Sequence, residues 1–175
     1  PPVVLLLAEI HAQALHAGHP LIPLRQRLLI DGPNPRESLL VKMPRQRPGV
    51  TVLRDYHAEN IMLLGALHDQ GLLDFQDALV GHPAYDLVSL LQDARRDVSP
   101  ELEAEMFDYY LQRTGAPAEE TLADYARLGA QRNAKIVGIF VRLWKRDGKP
   151  RYLDLIPRVW ALLERDLMHP ALAPV

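Results

Sequence analysis

With 48% hydrophobic residues along 175 positions and a formal net charge of −2, the chain has apolar material for one core and no basic surplus for gripping a nucleic acid or an anionic membrane surface. The absence of cysteine excludes disulfides, thiolate chemistry and cysteine-ligated zinc. No apolar run approaches the roughly 18 to 20 residues of a membrane-spanning helix, so a cytoplasmic location is the default expectation.

The opening apolar stretch carries Glu9 and His11 and lacks a basic leader. It therefore predicts an amphipathic helix over Val3–His16, ended by Gly18 and Pro20, and not a signal peptide. Residues 21–50 suggest two short strands around the turn Asp31-Gly32-Pro33-Asn34-Pro35, followed by a loop rich in proline and arginine. Three β-prone runs follow: TVLRD from Thr51, NIMLLGAL from Asn60 and GLLDF from Gly71, with HDQG from His68 as a turn between the last two.

Beyond Pro83 the pattern turns helical. Leu87, Leu90 and Leu91 recur at helical spacing in a first helix. Ser99-Pro100 opens a second, with Glu101 and Glu103 at its positive end and Gly115 as its stop. A long helix is expected from about Pro117 through Trp144, ending at RDGKP from Arg146, and a last one to about Met168 that Pro157 either begins or kinks. The tail from His169 is expected to be irregular. Phe140, Trp144, Tyr152 and Trp160 are candidates for the helical core. A small β part followed by several helices is an α+β arrangement.

The polar residues that interrupt the β-prone runs carry the chemistry. Asp55 and Asn60 stand either side of a tight loop, and Asp74 ends the apolar pair Leu72-Leu73. Oxygen donors without histidine or cysteine suit a hard cation such as Mg²⁺, which binds through one or two carboxylates and substrate phosphates. Phosphoryl transfer uses this inventory: a carboxylate beside the attacking hydroxyl, and metal ligands against phosphate charge. Taken singly, Asp55 and Asn60 are equally well turn residues. Asp77 reads as a solvated loop position and His82 as a loop brace. The other histidines have no convincing metal spacing, and the basic run from Arg142 to Arg151 reads as a solvated helix end.

The stretch LRDYHAEN, Leu53 to Asn60, resembles the catalytic loop of the kinase superfamily, in particular its aminoglycoside phosphotransferase and choline kinase branch. LLDFQDALVGHPAYDLVSLL, from Leu72, resembles that branch's second signature, an aspartate at a strand end followed by a Tyr-Asp-Leu that opens a helix. The phrases HPAYDLVSLLQDARRDV and QRNAKIVGIFVRLWKRDGKPRYL are similar to bacterial sugar kinases acting on the anomeric hydroxyl of N-acetylmuramate and N-acetylglucosamine in cell-wall recycling. The resemblance runs from about Thr51 to the C-terminus.

It implies a protein-kinase-like C-terminal lobe over 51–175, mainly helical, with a short β-ribbon carrying the catalytic loops. Residues 1–50 are then a lobe remnant, the N-terminal lobe being missing or reduced. Asp55 would be the catalytic base, Asn60 and Asp74 the Mg²⁺ and nucleotide ligands, and Asp86, His57 and Arg54 the supports of the loop. The cofactors implied are ATP and Mg²⁺, and the partners a sugar and a nucleotide, with no nucleic acid and no membrane.

Two departures stand out. Leu53 occupies a position where the branch usually has histidine, and no Gly-x-Gly-x-x-Gly occurs. Lys42 lies only about a dozen residues before Asp55, too near for the intervening elements of a kinase N-terminal lobe. The chain is therefore expected either to be part of a longer protein or to lack internal segments, and to bind nucleotide weakly alone. An aminoglycoside- or choline-type kinase, or a catalytically incomplete kinase-like fragment acting as a binding module, are the alternative readings.

Overall fold

The computed structural model describes residues 49–63 and 70–173. The helix expected over Val3–His16, the strands expected between residues 21 and 48, Lys42, and His68 and Asp69 of the HDQG turn lie outside the described residues.

The β part consists of four three-residue strands: β1 (Val50–Val52), β2 (Ile61–Leu63), β3 (Gln70–Leu72) and β4 (Leu79–Gly81). They form two separate antiparallel pairs, where the sequence suggested one ribbon. β1 pairs with β4, Val50 opposite Gly81 and Val52 opposite Leu79. β2 pairs with β3, Ile61 opposite Leu72 and Leu63 opposite Gln70. In chain order the second pair is nested inside the first. The run TVLRD leaves the ladder after Val52, and β4 was not anticipated at all. Its Leu79 and Val80 are exposed, so no alternation of buried and exposed positions marks it in the sequence.

The remainder is helical. α1 (Ala84–Leu91) buries Ala84, Val88 and Leu91, four and three residues apart on one face. α2 (Pro100–Thr114) starts where Ser99 accepts a hydrogen bond from the Leu102 N–H at 3.2 Å, and stops at Gly115 with φ of 65°. α3 (Ala118–Asp147) is 30 residues long and ends within the expected Arg146–Pro150 stretch. Gly148, with φ of 63°, closes it, its neighbour Lys149 donating to the Leu143 carbonyl at 3.2 Å. A glycine is favoured at both stops because a side chain disfavours the left-handed conformation. α4 (Ile156–Leu167) has Pro157 in its first turn, where the missing N–H costs nothing, so the proline begins the helix and does not kink it. The tail is not wholly irregular: His169 accepts from the Ala171 N–H at 3.1 Å and caps a 3₁₀ turn over Pro170–Leu172.

Two apolar clusters hold the helices together. Ala84, Val88 and Leu91 of α1 pack with Phe107 of α2 and with Tyr125 and Leu128 of α3; the Phe107 and Tyr125 rings meet edge to face at 5.3 Å. Val137, Phe140 and Val141 of α3 pack with Ile156, Val159 and Trp160 of α4 and with Ala94. Trp160 and Phe140 fill the core as expected, whereas Trp144 and Tyr152 are only partly buried against its edge. α3 thus spans both clusters and is the axis on which the others pack.

Candidate active site

The loop from Leu53 to Asn60 leaves β1 in a succession of very tight turns. The Asp55 N–H bonds the Leu53 carbonyl at 2.9 Å, and the His57 N–H bonds the Asp55 carbonyl at 3.0 Å. Arg54 has φ of 72° and Asp74 has φ of 56°, the two non-glycine residues with positive φ among the described residues. Each such residue costs roughly 1–2 kcal/mol, so the surroundings must over-determine it.

For Arg54 the restraint is visible. Asp86, in the first turn of α1, spreads its carboxylate over two loop amides, accepting from Leu53 N–H at 2.7 Å and Arg54 N–H at 3.0 Å. Hydrogen bonds to an ionised acceptor are about twice as strong as neutral ones. The Arg54 carbonyl in turn accepts from the Ser89 hydroxyl at 3.3 Å.

Asp55, Asn60 and Asp74 are tied together through the backbone. The Asn60 Nδ2 donates to the Asp55 carbonyl at 2.9 Å, which fixes which end of the amide is oxygen. The Asn60 carbonyl accepts from the Leu73 N–H at 2.9 Å, extending the β2–β3 ladder by one step and bringing Asp74 beside the loop. Asp55 and Asp74 are both exposed. One Asp74 oxygen, Oδ1, accepts from the Gln76 side chain.

His57 is buried beneath the loop at 8% exposure. Its Nε2 lies 3.4 Å from Asn60 Nδ2. Because that nitrogen can only donate, the ring nitrogen facing it accepts. His57 therefore braces Asn60 from behind.

Several partners of the loop were not legible as such. Ser89 and Arg132 lie 35 and 78 positions after Arg54 in the chain, and only their polarity within apolar runs could have drawn attention. Arg132 Nη2 donates to Ser89 Oγ at 2.9 Å. Arg95, just beyond the end of α1, pairs with Glu59 of the loop at 3.1 Å. His82 accepts from the Ala84 N–H through Nδ1 at 3.2 Å, leaving its Nε2–H to donate to Asp124 at 3.1 Å. It thereby pins the start of α1 to α3.

Behind α1 a second polar group is sealed between helices. Asp166 accepts from Gln92 at 3.0 Å and from Asn133 at 3.2 Å, and Asn133 also donates to Gln92 at 2.7 Å. Burial pushes the Asp166 carboxyl up to about 7, with Glu103 adding to the shift and Arg165, Gln92 and Asn133 opposing it. Burial also raises the Tyr125 phenol, whose hydroxyl donates to Glu103 at 2.7 Å, and lowers the Arg132 guanidinium. A groove of about 320 Å³ between α2, α3 and the end of α4, lined among others by Phe107, Tyr125 and Arg165, is apart from the loop; Asp55, Asn60 and Asp74 do not line it.

Residues 6–130 match the model of the phosphotransferase enzyme family. The chain belongs to that family. It is 54% identical over 125 residues to the N-acetylmuramate/N-acetylglucosamine kinase of Caulobacter vibrioides, a match covering 69% of this chain and 34% of that protein. It is 41% identical over 134 residues to the protein of the same name from Pseudomonas aeruginosa, covering 73% of this chain and 39% of the relative. The Neisseria meningitidis protein of that name is 40% identical over 126 residues, 68% of this chain and 37% of its own length. The chain thus spans little more than a third of the curated relatives it matches.

Proposed function

We propose that the protein carrying this chain is an ATP-dependent kinase that phosphorylates the anomeric hydroxyl of N-acetylmuramate and N-acetylglucosamine. The observation that carries this reading is the 54% identity over 125 residues to a protein named for those two sugars. The geometry of the Leu53–Asn60 loop supports it. Asp55 takes the role of base: its exposed carboxylate receives the proton of the sugar hydroxyl as that oxygen bonds to the γ-phosphorus, the bond from that phosphorus to the β–γ bridging oxygen breaks and ADP leaves.

The donor set fits a magnesium ion. Asn60 spends its Nδ2 on the Asp55 carbonyl, and among the described residues its Oδ1 accepts no hydrogen bond. Asp74 keeps Oδ2 in the same condition. Among the described residues no group of three or more His, Cys, Asp or Glu side chains could hold a metal alone. That suits an ion which draws its remaining ligands from phosphates and water. Asn60 Oδ1 and Asp74 would hold it, and when bound it neutralises charge on the transferring phosphoryl group. Asp86, Arg54 and His57 keep the loop in shape, the first through two hydrogen bonds to its backbone.

The test is ATP-dependent phosphorylation by the full-length gene product over a panel of N-acetylmuramate, N-acetylglucosamine, an aminoglycoside and choline. Turnover with the amino sugars alone, lost in Asp55→Asn, is the expected result. Turnover confined to the aminoglycoside or choline, or retained by Asp55→Asn, would overturn the substrate or the base respectively.

A further inference from the structure

Arg54 is gripped at both ends of its backbone by one face of α1. Its N–H goes to Asp86 and its carbonyl accepts from the Ser89 hydroxyl, and these two residues stand three positions apart on the helix. A serine hydroxyl inside a helix has a competing acceptor four residues back, here the Tyr85 carbonyl. Ser89 is instead turned toward the loop.

Arg132 of α3 accounts for that choice. Its Nη2 donates into Ser89 Oγ at 2.9 Å and its Nη1 reaches the Gln92 carbonyl at 3.5 Å. A charged donor to Oγ polarises the hydroxyl and strengthens the bond it gives onward. Ser89 is 0% exposed and Arg132 8%, so little water competes for either group. Burial lowers this guanidinium, and Tyr85, Asp93 and Asp55, in that order, oppose the effect. Apolar packing alone gives no reason to seal an arginine against a serine at this place. The strained Arg54 peptide does.

We propose that Arg132 and Ser89 are positioning residues for Asp55, holding the Arg54–Asp55 peptide in its left-handed turn so that the Asp55 carboxylate is aimed at the acceptor hydroxyl. This rests on the reading of Asp55 as the base and adds the two residues that aim it. Neither touches a reacting atom. They act through one carbonyl oxygen, and a misplacement of about 1 Å at a reacting group can lower a rate on the order of a hundredfold.

The experiment pairs steady-state kinetics of the full-length protein with hydrogen exchange at the Asp55 amide, which belongs to the same peptide plane as the Arg54 carbonyl. Ser89→Ala removes a single hydroxyl and leaves the helix intact. It is expected to lower kcat roughly ten- to a hundredfold, with KM for ATP and sugar held within about twofold, and to speed exchange of the Asp55 amide. Arg132→Met is expected to do the same and Arg132→Lys, which can still donate to Oγ, to recover part of the loss. Should Arg132→Met fail to fold, Ser89→Ala carries the test. A Ser89→Ala protein with kcat within about twofold of the parent and unchanged Asp55 exchange overturns the proposal. If the parent phosphorylates no sugar, the functional reading fails on its own, and the exchange of the Asp55 amide decides the positioning role.

Discussion

Residues 49–82 and residues 84–168 belong to one chain but are held in place by different means. In the first stretch Val52 and His57 are the buried side chains among those described, and Val50, Met62, Leu72, Leu73, Phe75, Leu79 and Val80 are exposed. In the second, Val88, Val137, Val159 and Trp160 are between 0% and 1% exposed. The strands are three residues long and cannot support themselves. What fixes their loop is polar: Asp86 and Ser89 reaching out of α1. The helical body therefore serves the loop as a rigid mount, and the loop's shape depends on a few directed bonds more than on buried area.

Substitutions in the two regions should accordingly separate activity from stability. Asp55→Asn is expected to cut kcat by roughly a hundredfold to ten-thousandfold, the range of general base catalysis, while leaving the melting temperature unchanged, because the carboxylate is exposed. Kinetics and a thermal melt on the same preparation check both halves. A clear fall in melting temperature would mean that the loop also carries part of the fold. Trp160→Ala is the converse case. Removing a ring that is 1% exposed should cost about 3–5 kcal/mol in a denaturant titration. At temperatures where the variant is folded, the KM values should stay near those of the parent.

Gly129 sharpens the contrast from inside the body. Alanine is ordinarily better than glycine within a helix by about 1 kcal/mol. Here a β-carbon would stand 2.8 Å from the Asp166 carboxyl carbon, and closer still to its Oδ2. Gly129→Ala is therefore expected to destabilise by about 1–3 kcal/mol, reversing the usual sign, and a stabilised variant would contradict the packing of α3 on α4.

The same Asp166 makes the body pH-dependent. Its folded value of about 7 lies above the ordinary 3.8, so the folded state holds the proton more tightly. The stability this supplies is complete below about pH 4 and is lost as the pH rises through about 7. Asp166→Asn cannot accept from both Gln92 and Asn133, so it should be less stable than the parent at pH 4, and the gap should narrow by pH 8. Melts across that range read the difference directly, and a gap that widens with pH would reject the assignment.

The helices were legible because each carries its own boundary chemistry: Ser99-Pro100, Gly115, Pro117 and Gly148 act within a turn of themselves. The β part was less so. A three-residue strand such as Leu79–Gly81, with Leu79 and Val80 both exposed, has no alternation from which to read it. At the site, Asp55, Asn60, Asp74 and Asp86 could be picked out because they sit in two short, recognisable phrases. Ser89, Arg132 and Glu59 could not, because their roles exist only after α1 and α3 have packed and brought residues 43 positions apart to 2.9 Å.

The smallest expected effect tests how independent the body's local signals are. Ser99 caps α2 through one hydrogen bond to the Leu102 N–H, and Glu101, drawn below its ordinary value by its own backbone N–H and by Ser99, sits in the same first turn. Ser99→Ala leaves one N–H without its side-chain partner, but the N–H is exposed and water can replace the serine, so the loss should be about 1 kcal/mol. Ser99→Asp should restore it, since aspartate caps as well and favours the positive end of the helix. The Leu53–Asn60 loop makes no hydrogen bond to either residue, so kcat should be unchanged in both variants. A change in kcat on Ser99→Ala would show that α2 is coupled to the loop through the Phe107–Tyr125 contact and α3, and the mount would then be a participant in aiming the site and not merely its support.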